Sequence, residues 1–335
     1  MNREPLSQFA TRREMMQATT AVVGGSLFAR LMPSRLSGAV TAANAEQAGA
    51  APQDRIAQMR AQAAGATLQT LKLRDNISMI SGAGGNIVAL DGPDGKVVVD
   101  SSYLTVAAKL RHALDSLSGA PLRILINTHW HPDHTDGNAP LHDRGALILA
   151  HENTRKRLST PQYMAALDMH VPPSPPDALP QQTLKESFRL YFNSEELALN
   201  YIPPAHTDTD IYIHYQKGNV LHMGDVWFNG FYPFIDASTG GNINGMVAGA
   251  SSVLGFVDGD TKIVPGHGPV GDKAALTKYR DMLATVRDRV QKLKTSGKTA
   301  EETIHARPTA DLDAVWGHGF LKPDVFVGLV YSTLG

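Results

Sequence analysis

The chain has 335 residues, of which 42% are hydrophobic and 19% are charged, and its formal net charge is −1. This composition is typical of a globular protein, and it excludes a disordered chain and a collagen-like chain. The near-zero net charge excludes a global electrostatic field that attracts nucleic acid or an anionic membrane. The sequence contains no cysteine, which excludes disulfides, thiolate nucleophiles and cysteine metal ligands, but it contains 13 histidines.

Residues 1–45 have the pattern of a targeting segment rather than of a folded domain. The pair Arg12 and Arg13 precedes a run of small and apolar residues over 18–29, and a small-x-small cleavage pattern follows at 43–45. The run is shorter than the ~20 residues of a membrane span, so no stable span is expected. The segment resembles a bacterial twin-arginine export signal. The resemblance implies a partner in the twin-arginine export machinery and a periplasmic or secreted mature protein.

The catalytic domain is expected to cover 67–335, after a lead-in over 46–66 that is rich in Ala and Gln and predicts a short helix or a loose segment. The first predicted elements are short strands, a helix and two further strands. They cover, in order, 68–90, 96–100, 104–117, 122–126 and 146–150.

The following stretch, 160–184, contains six prolines and predicts a surface loop or flap. The second half again predicts strands followed by helices, with one strand between the helices. These elements cover 188–193, 197–202, 211–215, 220–223, 243–254, 262–264, 273–294 and 323–334. Two such halves predict two sheets packed face to face with helices outside, which is a four-layer α/β/β/α sandwich.

The segment that follows the predicted strand 122–126 places four possible metal ligands within six residues: His129, His131, Asp133 and His134. Residues two apart on an extended chain point the same way, so the first two histidines can share one metal. Asp133 and His134 lie on the following turn, where they can reach a second metal. Three histidines and an aspartate in one loop need polar partners, which favours a metal site.

This His-x-His-x-Asp-His pattern resembles the signature of the metallo-β-lactamase superfamily. The resemblance covers roughly 68–270, and it implies three further ligands at the ends of predicted strands: His206, Asp225 and His267. It implies one metal held by His129, His131 and His206, a second held by Asp133, His134 and His267, and Asp225 bridging both.

All these ligands offer nitrogen or oxygen, which suits zinc but also iron or manganese. Zinc is the first expectation because five imidazoles dominate the set. The expected chemistry is attack by a metal-bound hydroxide on an acyl bond of a small-molecule substrate, with Asp133 orienting the hydroxide and passing its proton on. No other cofactor is predicted, and the histidines that could activate a serine or threonine nucleophile are committed to metal.

Residues around these ligands have predicted supporting roles. Thr128, Thr207 and Asp208 can orient ligands through hydrogen bonds, although ordinary turn chemistry explains them as well. Gly224 and Gly266 can allow close backbone approach. His222 is expected to pack in the core, and the aromatic segment 227–234 can line a substrate cleft or simply pack a loop.

Several functions remain open at this stage. The acyl bond can belong to a lactone, a thioester, an ester or a β-lactam. Class-B β-lactamases typically carry Cys or Ser where this chain has Asp225. An aspartate at this position is more similar to glyoxalase II and lactonases, so it favours hydrolases of that kind. The second class is an iron-dependent oxidoreductase of the same superfamily, such as a persulfide dioxygenase. A nuclease is disfavoured and no nucleic-acid partner is expected, because removal of five Arg and two Glu with the signal leaves a mature net charge of −4.

Overall fold

The computed structural model describes residues 54–334. The predicted export segment 1–45 and the first part of the lead-in lie outside the described residues. The remainder of the lead-in forms helix α1 (Arg55–Ala64), whose N-terminus is capped by the Asp54 carboxylate. The short helix expected within the lead-in is therefore present.

Seven strands form the larger sheet: β1 (Gln69–Arg74), β2 (Ile77–Ser81), β3 (Ile87–Leu90), β4 (Lys96–Val99), β5 (Leu122–Ile126), β6 (Leu147–His151) and β9 (Gln182–Leu184). Their order in the sheet is the order of the chain. The first four strands pair antiparallel as hairpins, whereas β4, β5, β6 and β9 pair parallel. The change from antiparallel to parallel pairing occurs where crossover connections begin.

Five strands form the smaller sheet: β10 (Ser187–Phe192), β11 (Glu195–Tyr201), β12 (Ile211–Tyr215), β13 (Val220–His222) and β14 (Lys262–Val264). The first four pair antiparallel, and β13 pairs parallel with β14. The predicted strands over 211–215 and 262–264 are confirmed residue for residue.

The helices lie outside the two sheets. They are α2 (Ala107–Asp115), α3 (Pro132–Thr135), α4 (Asn138–His142), α5 (Glu152–Leu158), α6 (Ile243–Leu254), α7 (Lys273–Thr295), α8 (Ala300–His305), α9 (Asp313–Trp316) and α10 (Pro323–Thr333). The sequence analysis missed α4, α5, α8 and α9, which are too short to show a helical period. None of the helices within residues 54–334 is long and apolar enough to span a membrane.

The hydrophobic core confirms the four layers. Side chains of both sheets meet in one buried cluster, in which Val88 and Val99 of the larger sheet face Leu199 and Ile213 of the smaller one. A second cluster packs α2 and α4 on the outer face of the larger sheet, and a third packs α6, α7 and α10 on the outer face of the smaller sheet. Each sheet therefore buries both faces, as a sandwich with outer helices requires.

The prediction that 160–184 is only a surface loop is wrong in part. The segment contains a two-stranded hairpin, β7 (Gln162–Met164) and β8 (Met169–Val171), and it ends in β9, an edge strand of the larger sheet. Met164 and Met169 are buried in the same cluster as residues of α1. Strands of three residues are too short to show alternation. Five of the six prolines lie between β8 and β9, so the composition of the whole segment predicts a loop although strands flank the prolines.

Candidate metal centre

The loop after β5 turns directly into a short helix that presents the predicted ligands. His131 has an extended backbone at the N-cap of α3, and Pro132 occupies the first helical position. This change from extended to helical backbone separates the His129 and His131 side chains from those of Asp133 and His134. The other predicted ligands follow β11, β13 and β14 and reach the same end of the sandwich.

Four buried side chains form the first group: His129, His131, His206 and Asp225. Their candidate ligand atoms all lie within 4.8 Å of one another. His206 Nε2 is 2.9 Å from His131 Nδ1 and 3.4 Å from Asp225 Oδ2. The structure thus brings together four residues that are separated by up to 96 positions in the sequence.

Asp133, His134 and His267 form the second group. Asp133 Oδ2 lies 3.1 Å from His267 Nε2 and 3.5 Å from His134 Nε2. Asp225 belongs geometrically to this group as well, because its Oδ1 is 3.2 Å from His134 Nε2 and its Oδ2 is 3.4 Å from His267 Nε2. The two groups are therefore adjacent and share one carboxylate.

The donor atoms of these groups suit a cation. His129 Nε2, His134 Nε2 and Asp225 Oδ1 are buried and have no hydrogen-bond partner among the described residues, since their contacts with one another lack hydrogen-bond geometry. Buried polar atoms without partners are unfavourable, and a bound cation would give these three atoms a partner. Imidazole nitrogens and carboxylate oxygens are ligands of zinc and of other transition metals. The residues present therefore fit the metal that this arrangement implies.

Two histidines of the first group, His129 and His206, are held in the neutral form that binds metal. Burial lowers the pKa of His129 well below its usual value, and the nearby His134 lowers it further. Burial also lowers the pKa of His206 to about 4. His206 Nδ1 is 2.8 Å from the Phe234 carbonyl oxygen, a contact that favours the tautomer with a free Nε2.

Carboxylates dominate the electrostatics of the second group. Burial opposes the charged form of His267, but Asp225 and Asp133 outweigh it and raise the pKa of His267 to about 9. Burial likewise raises the pKa of Asp133, yet His134 and His267 overcome this effect and leave the pKa below its usual value. Both carboxylates are thus ionised, as ligands of a cation must be.

Asp100, which the sequence analysis missed, anchors both groups from the end of β4. Its Oδ2 lies 2.7 Å from His134 Nδ1 and accepts a hydrogen bond from Thr128 Oγ1 at 2.8 Å. Thr128 Oγ1 is in turn 3.1 Å from His129 Nδ1, so the predicted supporting role of Thr128 is confirmed. Asp100 has a left-handed backbone with φ of 68°, a strained conformation for a residue other than glycine. Its position after a run of valines at a strand end is the signal that could have found it.

Asp236 orients His131 from the far end of the aromatic segment. Its Oδ2 lies 3.1 Å from His131 Nε2, which leaves Nδ1 to face the first group. Burial raises the pKa of Asp236, but hydrogen bonds from His131, Ser238 and Thr239 lower it to about 2. No sequence signal points to this residue, because 105 positions separate it from its partner.

The loop that carries His206 is fixed by Asp210 rather than by Asp208. Asp210 accepts hydrogen bonds from the backbone of His206 and Thr207 and from Thr207 Oγ1, at 2.6 to 2.9 Å. Burial raises the pKa of Asp210 to about 7. The prediction that Asp208 supports a ligand is wrong, because its carboxylate pairs with Arg157 instead, at 2.7 Å. Asp208 and Asp210 are two residues apart in a turn and point in different directions, which spacing alone does not resolve.

Close packing explains the two predicted glycines and one that was missed. A Cβ atom at Gly266 would lie 1.9 Å from Asp225 Oδ1, and one at Gly224 would lie 2.8 Å from the Thr128 Cβ. Gly85 approaches the site equally closely, since a Cβ atom there would lie 2.0 Å from His134 Cε1. The backbone therefore forms part of the wall around the ligands.

His222 is buried in the core as predicted, with its Nε2 2.9 Å from the Asn86 carbonyl oxygen. The aromatic segment 227–234 packs mainly in the core, which is the second of its two predicted roles. Trp227 and Tyr232 are fully buried, whereas the Phe228 ring stacks on the His267 ring. The second group is also the more open one, because the side chains of Asp133 and His267 are 13% and 16% exposed.

Comparison with known proteins identifies relatives of this architecture. The family model described as the metallo-beta-lactamase superfamily matches residues 81–289. A metallo-beta-lactamase from Pontibacter korlensis has a similar structure, with a TM-score of 0.54, 15% identity and coverage of 65% of this chain and 99% of that one. The DIM-1 metallo-beta-lactamase gives a TM-score of 0.53 and 20% identity, with coverage of 66% and 99%.

A sec-alkylsulfatase, Pisa1 from Pseudomonas sp., is similar over a larger share of this chain. Its TM-score is 0.60 at 15% identity, and the match covers 83% of this chain and 51% of that one. No curated protein sequence gives a significant match. At these identities the solved structures establish the fold, and the family model establishes the relationship.

Proposed function

The chain belongs to the metallo-β-lactamase superfamily and is a metal-dependent hydrolase, and we propose that it holds two zinc ions and hydrolyses an acyl bond of a small-molecule substrate. The observation that carries this proposal is the pair of adjacent His/Asp groups that share Asp225 and contain three buried atoms without partners. The substrate is a lactone, a thioester, an ester or a β-lactam.

We assign His129, His131 and His206 to one metal and Asp133, His134 and His267 to the other, with Asp225 as the shared ligand. Zinc, when bound, supplies a Lewis acid and lowers the pKa of a coordinated water to ~7. The chain's own residues supply the orientation: Asp100 and Asp236 fix the rings of His134 and His131 through the contacts described above. Preorganised ligands of this kind limit the reorganisation needed during reaction.

Asp133 is the residue we assign to proton handling. Its carboxylate is ionised, buried on one side by the histidines and partly open to solvent on the other. An ionised carboxylate in this position can accept a proton from water at the site and release it to the leaving group. The chain has no cysteine, and the histidines that could activate a serine or threonine are assigned to metal, so no covalent acyl-enzyme is expected.

An iron-dependent oxidoreductase is the second candidate, because the same nitrogen and oxygen donors also suit iron. Metal analysis of the purified protein, combined with turnover assays on β-lactam, lactone, thioester, phosphodiester and persulfide substrates, separates the candidates. We expect two zinc ions per chain and turnover of an acyl substrate. Iron as the native metal, together with persulfide oxidation and no hydrolysis, would contradict the proposal.

We expect Asp100→Asn to weaken metal binding by about 10- to 100-fold, which is typical for loss of a partner that orients ligands. The substitution keeps the size of the side chain but removes the charge that faces His134 and Thr128. Chelator competition measures the dissociation constants. Asp94→Asn, at a carboxylate that binds the backbone of Asn193 in a distant turn, is the matched control and should leave them unchanged.

Metal binding should weaken as the pH falls. His267 has a pKa of about 9 in the metal-free chain, so at neutral pH it must lose a proton before its Nε2 can bind metal. Against the effect of burial, Asp225, Asp133 and Asp100 also raise the pKa of His134 well above its usual value. Each of the two histidines that releases a proton lowers the apparent affinity about tenfold per pH unit below its pKa. Chelator competition between pH 6.5 and 9 checks the slope, and His267→Gln should reduce it. An affinity independent of pH would show that no proton is displaced.

We also propose that the protein is exported by the twin-arginine machinery after folding, on the basis of the pattern in 1–45. The double substitution Arg12→Lys and Arg13→Lys should leave the precursor in the cytoplasm. Cell fractionation with an antibody to the mature chain measures this. Full periplasmic yield of the double variant would refute the proposal, and Arg3→Lys is the control for loss of an arginine outside the pair.

A further inference from the structure

The lead-in helix α1 contacts the end of the short helix that carries two of the predicted metal ligands. The Arg60 guanidinium donates two hydrogen bonds to the Asp136 carboxylate, from Nε to Oδ2 at 2.8 Å and from Nη2 to Oδ1 at 2.6 Å. A two-point contact of this kind fixes the orientation of both side chains. Arg60 precedes the residues 81–289 matched by the family model, so the family match does not account for this contact.

The Asp136 carboxylate connects α1 to α3 and to the segment after β4. Asp136 follows α3 directly, and its backbone N–H donates to the Pro132 carbonyl oxygen at 3.0 Å. Its Oδ2 also accepts a hydrogen bond from the Leu104 backbone N–H at 2.8 Å. One carboxylate therefore holds together three segments across 76 and 32 positions. Two ligands of the second group, Asp133 and His134, lie in the single turn of α3 that Asp136 ends.

The segment after β4 in turn contacts the backbone of a ligand. The Ser101 backbone N–H and Oγ both donate to the His134 carbonyl oxygen, at 2.8 and 3.1 Å. The packing is close, because a Cβ atom at Gly137 would lie 2.2 Å from the Ser101 carbonyl oxygen. This segment begins at Asp100, which orients the His134 ring. A shift of the segment would therefore move the support of this ligand.

Helix α1 is itself fixed to the body of the domain, so it can act as a support. Thr105 Oγ1 donates to the Arg60 carbonyl oxygen at 2.7 Å. At the C-terminal end of the helix, where free carbonyl groups favour a cation, Lys109 Nζ donates to the carbonyl oxygens of Ala64 and Ala66 at 2.8 and 2.7 Å. The apolar face of the helix is buried in the core through three residues: Ile56, Met59 and Ala63.

We propose that Arg60 and Asp136 are a positioning pair, through which α1 holds the α3 ligands of the second group in place. This inference rests on the proposed function, because it requires the second group to bind metal. Exposed ion pairs contribute little in general, but this pair makes a two-point contact and also binds the backbone of a third segment. The histidines of the first group precede α3 or follow β11, so loss of the pair should weaken one metal selectively.

Zinc affinity in two single-site backgrounds tests the proposal. His206→Gln removes a ligand of the first group, and His267→Gln removes a ligand of the second. In the His206→Gln background, Arg60→Ala should weaken zinc binding by about 10-fold, the lower end of the range for residues that orient ligands, because Arg60 acts through Asp136. In the His267→Gln background, the same substitution should leave the affinity unchanged. Chelator competition measures these affinities without any substrate.

Further variants separate positioning from a general loss of stability. Arg60→Lys keeps the charge but cannot make the two-point contact, so it should restore only part of the affinity. The Arg60→Ala and Asp136→Asn double variant should bind zinc no more weakly than Asp136→Asn alone, because both residues act through one contact. Arg289→Ala is the matched control, since it removes another two-point contact, with Asp311 beyond α8, and it should leave the affinities unchanged.

Stepwise zinc binding by the chain with both groups intact is the second measurement. Arg60→Ala should weaken one of the two affinities and leave the other unchanged, while thermal unfolding verifies that the variant is folded. Equal weakening of both affinities, no weakening of either, or additive losses in the double variant would overturn the inference and leave the proposed function in place. A parent protein that binds no metal would overturn the proposed function and the inference with it.

Discussion

Replacement of Asp225 by Asn should lower the metal content from two ions to at most one and reduce kcat/KM by at least ~10³-fold. The two oxygens of Asp225 face both groups: Oδ1 is 3.2 Å from His134 Nε2, and Oδ2 is 3.4 Å from both His206 Nε2 and His267 Nε2. An amide keeps this shape but carries no charge, and its nitrogen would oppose a cation. Both metals should therefore be affected by one substitution.

Metal content per chain and steady-state kinetics measure this effect. Asp208→Asn is the control, because Asp208 is a half-buried aspartate near the ligand loops that pairs with Arg157 instead of with the ligands. It should retain two metals and normal turnover. A single tightly bound metal in the parent protein, together with an Asp225→Asn variant of unchanged content and activity, would reject the shared-ligand arrangement.

Replacement of Asp133 by Asn should lower kcat by at least ~10²-fold, which is the lower end of the effect of removing a general base. Asp133 is ionised because His134 and His267 lower its pKa against the effect of burial. The amide can neither accept a proton nor balance the charge near His267. The loss should persist at a metal concentration that restores full occupancy, which separates proton handling from metal binding.

Kinetics at saturating metal, with metal content measured in parallel, check this prediction. Asp143→Asn, at an exposed residue after α4, is the matched control and should not change kcat. Mass spectrometry provides an independent test of the mechanism. An acyl group trapped on any side chain, or full activity in protein verified to be free of metal, would contradict it.

Several parts of the fold could be predicted because they depend on local sequence. The strand over 211–215 alternates, and the strand over 262–264 contains two consecutive β-branched apolar residues. Turn residues border both strands, so the hydrophobic pattern and the turns together locate them. The hairpin β7–β8 could not be predicted in this way. Its two strands have three residues each, and the burial of Met164 and Met169 depends on contact with α1, a helix that lies over 90 positions earlier.

The sequence by itself indicated the candidate ligands. His129, His131, Asp133 and His134 lie in one loop, so their spacing alone places them around neighbouring points, and the resemblance to the metallo-β-lactamase superfamily added His206, Asp225 and His267. The tertiary structure alone decided what holds these ligands in place. Asp100 and Asp236 meet their histidines across 34 and 105 positions, and the Phe228 ring contacts the Phe320 ring across 92 positions. Such contacts arise from the packing of sheets and loops, which has no period in the sequence and becomes visible only when the chain is folded.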